Sequence, residues 1–251
     1  MGLELYALAI AAGALAGVIN TLAGSGSLIT LWALMTLGLP ATVANGTNRI
    51  GVIIQTAVGI ATMRAHGTDL PEGLGWMVVS TTGGAIGGSW LATTFEPEAL
   101  EWVVIGVLWV TLAALFFRPK DWLREKNRED AGERSWKRFV VMALVGAWGG
   151  FLQAGVGILL LVALVLVIGR DVIEATAIKL VVVFAYSVVT LPVFLAADQV
   201  VWKLGLLVGL GQALGGWLGA RFAATSPEAP KWIRRLLVVM IVVAAVDLMI
   251  L

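Results

Sequence analysis

Two basic residues lie inside apolar segments, where a lipid bilayer would make a charge costly. Arg49 is the ninth residue of the apolar segment 41–63, and Lys179 is the ninth residue of the segment 171–196. A cation at the centre of a membrane helix costs about 3 kcal/mol on insertion scales, so such residues normally face a partner, a cavity or a substrate. Two cations at one depth suit an anion held between two segments. In the alternative, structural interpretation either cation pairs with Glu174 or extends to the membrane interface.

Two glycine-containing breaks could supply further binding groups for an anion. Gly24-Ser25-Gly26 and Gly155-Val156-Gly157 each precede an apolar segment of only twelve residues. A helix that begins at such a break presents free backbone N–H groups and a dipole end equivalent to about half a positive charge. Anions bind at such helix ends without a dedicated side chain. In the alternative interpretation the glycines only permit turns and close packing.

Polar side chains near the cations and the breaks could add hydrogen bonds to the same anion. Three of them precede Arg49 along one segment, one precedes Lys179 along the other, and an amide side chain lies just before each break. The predicted substrate-binding residues are Asn20, Gly24, Ser25, Gly26, Asn45, Thr47, Asn48, Arg49, Gln153, Gly155, Gly157, Thr176 and Lys179.

The composition excludes most soluble protein classes. The chain of 251 residues is 59% hydrophobic and 13% charged, whereas soluble domains contain about 25% charged residues. It has no Cys and one His, so we expect no metal site and no cofactor. An intramembrane enzyme is not expected either, because the chain lacks a histidine cluster and a pair of deep carboxylates. The lipid bilayer is the expected environment, and no nucleic-acid partner is expected.

Near-continuous apolar segments predict an all-α polytopic integral membrane protein. A hydrocarbon core of about 30 Å needs about 20 helical residues, and the segments 27–38 and 157–168 are shorter than that. Each of these two segments follows a glycine break and ends in a tight turn, so we predict that each forms half of a helical hairpin. The predicted segments are 3–22, 27–38, 41–63, 73–95, 98–117, 137–154, 157–168, 171–196, 200–223 and 231–251.

Four stretches of the first half recur in the second half, which indicates an internal repeat. They occur in the same order, at offsets of 131, 131, 128 and 130 residues. The matched pairs are 23–26 with 154–157, 44–48 with 175–179, 83–88 with 211–216, and 97–102 with 227–232. We therefore predict a first repeat over 1–117, a charged loop over 118–136 and a second repeat over 137–251. Each repeat is predicted to contain a glycine-broken short-helix hairpin and three long transmembrane helices.

The charges predict that the two repeats have inverted topology. The loop 118–138 carries eight basic residues, and the positive-inside rule puts it in the cytoplasm. The turn 96–98 then falls outside and has no basic residue, whereas its repeat partner 225–235 falls inside and has three. Equivalent turns therefore lie on opposite faces of the cell membrane, and both chain termini are predicted outside. Inverted repeats with interrupted helices are typical of secondary transporters, whose sites lie between the repeats.

The motifs Ala23-Gly24-Ser25-Gly26, Leu39-Pro40 and Ala44-Asn45-Gly46-Thr47-Asn48-Arg49 resemble those of the sulfite exporter TauE/SafE family. The stretches Gly155-Val156-Gly157 and Glu174-Ala175-Thr176-Ala177-Ile178-Lys179 are similar to that family's second copy. The resemblance covers nearly the whole chain and implies a bacterial or archaeal inner-membrane permease for sulfite, sulfonates or related anions. It also implies that Asn48, Arg49 and Lys179 occupy the family's polar positions. The first break departs from the family, because serines interrupt its glycines.

Repeat, cations and resemblance together predict a secondary transporter of a small sulfur-containing or organic anion, with sulfite or a sulfonate as the first candidate. Alternating access at a site between the repeats would move the substrate. Two alternatives remain: a channel-like anion pore, and a structural membrane subunit of a larger complex. The expected partners are the anion and the lipid bilayer, and a homodimer is possible.

Overall fold

The protein is helical throughout the residues that its computed structural model describes, which are 3–70, 73–94 and 135–250. These ranges contain nine helices and no strand, which confirms the predicted all-α class. The predicted segment 98–117, the turn 96–98, most of the loop 118–138 and the repeat boundary at 117 lie outside the described residues. The helices are α1 (Leu3–Leu22), α2 (Ser27–Thr36), α3 (Ala41–Ala65), α4 (Leu74–Thr94), α5 (Trp136–Phe151), α6 (Val156–Val162, continued as a π-helix over Ala163–Ile168), α7 (Val172–Ala196), α8 (Trp202–Thr225) and α9 (Ala229–Ile250).

The short helix α2 ends where local sequence signals require it to end. Gly38 has a φ of +93°, a left-handed conformation that glycine adopts without steric cost. The amide of Gly38 donates to the carbonyl of Met35 at 2.9 Å, and the amide of Leu39 donates to that of Leu34 at 3.2 Å. These two bonds form the Schellman pattern that satisfies the last carbonyls of a helix. Pro40 then starts α3, because its fixed φ suits a helix start.

Among the described helices, α7 has both the length and the apolar composition to cross a bilayer. Its 25 residues measure about 38 Å at a rise of 1.5 Å per residue, and the hydrocarbon core is about 30 Å thick. The helix α3 also has 25 residues, but Asn45, Asn48, Arg49 and Gln55 make it less apolar. All four of these side chains are buried, so the least apolar long helix lies inside the protein.

Glycines bring two pairs of helices into backbone contact. The helix α4 packs along α5, and a Cβ added to Gly84 or Gly88 would lie 1.9 Å from a carbonyl oxygen of α5. The helix α1 packs along α8, where a Cβ added to Gly211 or Gly215 would lie 2.1 Å from a carbonyl oxygen of α1. Such small-residue interfaces let membrane helices pack closely. The helices α3 and α7 lie between the two pairs: α3 packs on α8 and α7, and α7 packs on α3 and α4.

Large apolar side chains cover the outer surface of the helices. Trp90 of α4, Leu144 of α5 and Leu210 of α8 are 67%, 66% and 63% exposed. The interior, by contrast, contains a group of buried polar and charged side chains from α1, α2, α3 and α7. An apolar exterior around a polar interior is the arrangement expected of a protein whose outer face contacts lipid.

Candidate functional site

The two glycine breaks contact each other in the middle of the fold. The break after α1 contains Gly24, with a φ of +87°, and the break after α5 contains Gly155, with a φ of +70°. The amide of Gly157 donates to the carbonyl of Gly24 at 3.2 Å. A Cβ added to Gly24 would lie 2.2 Å from the backbone of Gly157. The sequence predicted both breaks, but it gave no sign that they touch.

A small polar cavity lies beside this contact. Its volume is about 20 Å³, which is enough for one water molecule, since a water needs roughly 10–15 Å³. Its apolar lining comes from Val52, Val156, Leu180 and Val183. Its other lining residues are Asn20, Gly24, Ser27, Gln55, Thr56, Gln153, Gly157 and Lys179. Five of the predicted site residues therefore meet here: Asn20, Gly24, Gln153, Gly157 and Lys179.

Lys179 supplies the positive charge of the cavity. It lies on α7 and is 1% exposed. Its Nζ donates to the backbone carbonyls of Asn20 at 3.0 Å and of Thr21 at 2.6 Å. These carbonyls belong to the last turn of α1, where the helix dipole presents partial negative charge. An ammonium group has three N–H donors, so one donor remains for a ligand in the cavity.

Arg49 occupies the corresponding place at the end of α5. Its Nη2 donates to the carbonyl of Gly150 and, at 3.3 Å, to that of Gly149, and its Nη1 donates to Thr190 Oγ1 at 2.9 Å. Its guanidinium carbon lies 4.1 Å from the centre of the Phe194 ring, within the range of a cation–π interaction. Arg49 is fully buried, and it does not line the cavity.

The two cations thus make equivalent contacts across the molecule. Lys179 binds the carbonyls one and two residues before the end of α1, and Arg49 binds those one and two residues before the end of α5. The alternative that either cation pairs with Glu174 is wrong, because the carboxylate of Glu174 binds Arg170 at 2.5 Å. Burial with neutral carbonyl partners leaves the positive charge of both cations without a carboxylate partner among the described residues.

Amide and hydroxyl side chains connect the two breaks to α3. Asn20 Nδ2 donates to Ser27 Oγ at 3.2 Å and to Gln55 Oε1 at 3.1 Å, and Gln55 Nε2 donates to Thr21 Oγ1 at 3.1 Å. On the other side Gln153 Nε2 donates to Ser187 Oγ at 3.1 Å. Each of these groups can exchange an intramolecular bond for a bond to a bound anion.

Sequence reasoning missed Ser27, Gln55 and Thr56 as cavity residues. Gln55 lies seven residues after Asn48, which places both on one face of a helix. That spacing was a usable signal. The position of Ser27 in the first turn of α2 was a second signal, since the first turn faces the break. Thr56 gave no signal of its own.

The predicted polar residues of α3 near Arg49 lie away from the cavity. Asn45 Nδ2 donates to the carbonyl of Phe151 at 2.8 Å, and Thr47 Oγ1 accepts from the amide of Val201 at 3.0 Å. Asn48 Oδ1 accepts from Thr30 Oγ1 at 2.7 Å and from Gln212 Nε2 at 3.1 Å. In this conformation their bonds connect neighbouring helices.

The remaining predicted residues also lie outside the cavity lining. Thr176 Oγ1 bonds back to the carbonyl of Val172 at 2.7 Å within α7. Ser25 Oγ is buried and has no hydrogen-bond partner among the described residues. Gly26 lies against α1, where a Cβ would be 2.0 Å from the carbonyl oxygen of Ala16. Gly155 precedes α6 as its N-cap residue. Among the residues that the structure describes, no group of three His, Cys, Asp or Glu side chains could hold a metal ion.

Comparisons with known proteins agree with the membrane architecture. Residues 9–248 match the model of the family described as "Sulfite exporter TauE/SafE". The chain is 29% identical over 250 residues to the "Probable membrane transporter protein ORF9" of Sinorhizobium sp, covering 99% of this chain and 94% of the relative. It is 25% identical over 244 residues to a "Probable membrane transporter protein" of Haemophilus influenzae, covering 96% and 92%.

A third relative comes from Escherichia coli strain K12. The chain is 25% identical over 239 residues to its "Probable membrane transporter protein YfcA", covering 94% of this chain and 86% of the relative. No solved structure matches the chain. The family match spans nearly the whole sequence, and it includes both breaks and both cations. The chain belongs to the sulfite exporter TauE/SafE family, whose members here are membrane transporters.

Proposed function

We propose that the protein is a secondary transporter of a small anion, with sulfite or a sulfonate as the first candidate substrate. The observation that carries the proposal is Lys179, which lines a closed polar cavity where the two helix breaks meet. The ammonium supplies the charge, and its remaining N–H points to no protein acceptor among the described residues. The family description, which names sulfite export, supports the same substrate class.

The lining of the cavity suits an oxyanion. Besides Lys179, the amides of Asn20, Gln55 and Gln153 and the hydroxyl of Ser27 are donors within the lining. Several convergent donors match the several acceptor oxygens of a sulfur oxyanion, and charge-assisted bonds are the stronger ones. The amino terminus of α2 adds a partial positive charge through its dipole. Arg49 contributes a second positive charge without touching the cavity.

The cavity holds one water, whereas sulfite has four heavy atoms, so binding requires an open conformation. We propose that the molecule alternates between openings toward each face, as other inverted-repeat transporters do. The predicted binding roles of Asn45, Thr47, Asn48 and Thr176 belong to such an open conformation. The contact between Gly24 and Gly157 would seal the site when it closes.

We further propose that the two repeats are related by inverted topology. The repeats would span 1–117 and 137–251, with the cytoplasmic loop 118–136 between them and both termini outside. The equivalent bonds of Lys179 to α1 and of Arg49 to α5 support this relation, because each cation of one half binds the first helix of the other half.

Uptake into proteoliposomes tests the function. Purified protein is reconstituted, and uptake of radiolabelled sulfite and methanesulfonate is measured against an internal load of unlabelled anion. Saturable counterflow that disappears in Lys179→Gln and persists in Lys203→Met supports the transporter. Lys203 is an exposed lysine of α8 that bonds Tyr6, so the control removes an equal charge elsewhere. Flux that neither saturates nor shows counterflow would indicate an anion pore. No flux of any tested anion would contradict the proposal.

A further inference from the structure

The surroundings of the two buried cations differ, although their contacts are equivalent. Lys179 lines the cavity and uses two of its three N–H donors on carbonyls of α1. Arg49 does not line the cavity, and its two terminal nitrogens bond to Gly149, Gly150 and Thr190. The ring of Phe194 covers one face of its guanidinium. A bound anion can therefore contact Lys179 directly, whereas Arg49 is enclosed by protein.

The bonds of Lys179 also join two parts of the fold that otherwise share little contact. The helix α1 packs along α8, whereas α7 packs on α3 and α4, and α1 touches α7 over only a short stretch. The carbonyls of Asn20 and Thr21 are therefore held to α7 mainly by one ammonium group. These carbonyls lie directly before the break that contains Gly24.

We propose that Lys179 is an exchangeable latch, whose ammonium leaves the carbonyls of α1 for the bound anion, and that Arg49 is a permanent clamp. This inference rests on the proposed anion transport. In the empty, closed state the ammonium holds the end of α1 against α7. In the loaded state it holds the anion, and the end of α1 is released.

The energetics favour this exchange of partners. The carbonyls of Asn20 and Thr21 are neutral acceptors, and an oxyanion is a charged acceptor that makes a stronger hydrogen bond with an ammonium. The flexible stem of lysine allows its charge to move between nearby acceptors, whereas the rigid fork of arginine holds a fixed pair. The two residue types thus match the two roles: a lysine where the bond must break, and an arginine where it must persist.

Release of α1 would link binding to movement. Without the ammonium, the last carbonyls of α1 need other partners, and water entering the break can provide them. The break and the start of α2 then become more mobile, while Arg49 continues to hold α3 to α5. The anion would thereby loosen one of two equivalent junctions and leave the other intact.

Hydrogen–deuterium exchange in detergent tests the latch. The segment to follow is 19–28, whose amides include those of Ala23 and Gly24, bonded to the carbonyl of Ile19 at 2.7 and 2.9 Å. Exchange is measured with sodium sulfite, with sodium methanesulfonate and, for ionic strength, with sodium gluconate. Thermal shift of the same samples reports whether the anion binds. The variants are Lys179→Met, which removes charge and donors, Lys179→Gln, which keeps a neutral donor, and Lys203→Met as the exposed control.

In the wild type we expect a binding anion to raise the melting temperature and to speed exchange of segment 19–28 on the order of tenfold, which is local opening against global stabilisation. Lys179→Met should exchange fast without any anion and show no further response. Lys179→Gln should exchange slowly and also show no response, and it remains informative if Lys179→Met does not fold. Lys203→Met should behave like the wild type.

Two results would overturn the latch while leaving transport intact. The first is an anion that stabilises the wild type without speeding exchange of segment 19–28. The second is stabilisation of Lys179→Gln by the anion as strong as that of the wild type. If neither sulfite nor methanesulfonate stabilises the wild type, and neither is transported in liposomes, the proposed function fails together with the latch.

Discussion

The amide of Gly157 donates a hydrogen bond of 3.2 Å to the carbonyl of Gly24, and neither residue has room for a side chain. The two glycines come from separate breaks in the chain, 133 residues apart by their numbers, 157 − 24. Their contact brings the ends of α1 and α5 together beside the cavity. The backbone contact of these two breaks therefore determines where the polar side chains converge.

Gly157→Ala should destabilise the protein and abolish transport. The added Cβ would lie 2.3 Å from Cα of Gly24, and overpacking of this kind costs about 1–3 kcal/mol. Thermal unfolding in detergent and sulfite counterflow are the measurements. The matched control is Gly38→Ala, where φ is +93° but nothing lies within 4 Å, so it should lose about 1–2 kcal/mol through backbone strain and keep transport. Equal transport in both variants would show that the breaks need not touch.

Replacing Arg49 should damage the fold rather than binding alone. Arg49→Met removes the donors to Gly149, Gly150 and Thr190, and a hydrogen bond to a charged group contributes about 1.5–3 kcal/mol. We expect a loss of unfolding free energy of about 2–4 kcal/mol, measured by thermal unfolding. Arg49→Lys should not restore it, because lysine lacks the planar fork. A stable Arg49→Met protein with weaker anion binding would instead make Arg49 a binding residue.

The amides of the cavity should contribute to substrate affinity. Gln55→Leu removes the acceptor of Asn20 and the donor to Thr21 Oγ1, along with one donor for the anion. We expect the KM of counterflow to rise by about 10-fold, the factor that corresponds to about 1.4 kcal/mol. Thr62→Val is the control, since Thr62 lies on the same helix and bonds only to the carbonyl of Val58, at 2.8 Å. An unchanged KM in Gln55→Leu would remove Gln55 from the site.

The inverted topology predicts the side from which introduced cysteines react. The chain contains no cysteine, so each introduced thiol is unique. Ala196, at the end of α7, is predicted outside, and His66 and Thr225 are predicted inside; all three positions are exposed. A membrane-impermeant thiol reagent added to whole cells should therefore label Ala196→Cys, and His66→Cys and Thr225→Cys should react only after permeabilisation. Labelling of all three from one side would exclude the inverted arrangement.

The helices could be predicted from the sequence because their apolar segments are bounded by strong stop signals. The short helix α2 lies between Gly26 and the Gly38-Leu39-Pro40 turn, so its limits followed from local chemistry. The membrane family followed from the motifs around the breaks and the cations. Each of these features depends on residues that are close together in the chain.

Contacts between distant residues could not be predicted in the same way. A buried cation in a single segment indicates that an acceptor exists, but it does not identify the acceptor. Lys179 and Arg49 bind backbone carbonyls, which every residue possesses, so residue type carries no information about the partner. The unequal access of the two cations to the cavity depends on packing around Phe194, which the sequence pattern does not encode.

The position of Arg49 has a consequence for biosynthesis. Its carbonyl acceptors, Gly149 and Gly150, lie 100 and 101 residues later in the chain, whereas those of Lys179 lie 159 and 158 residues earlier. When α3 leaves the ribosome, its guanidinium has no acceptor yet, and it must wait in the translocon or in bilayer until α5 is made. A chain truncated before α5 would keep an uncompensated charge, which is a signal that membrane proteases can recognise. Release from quality control thus depends on synthesis of the second half.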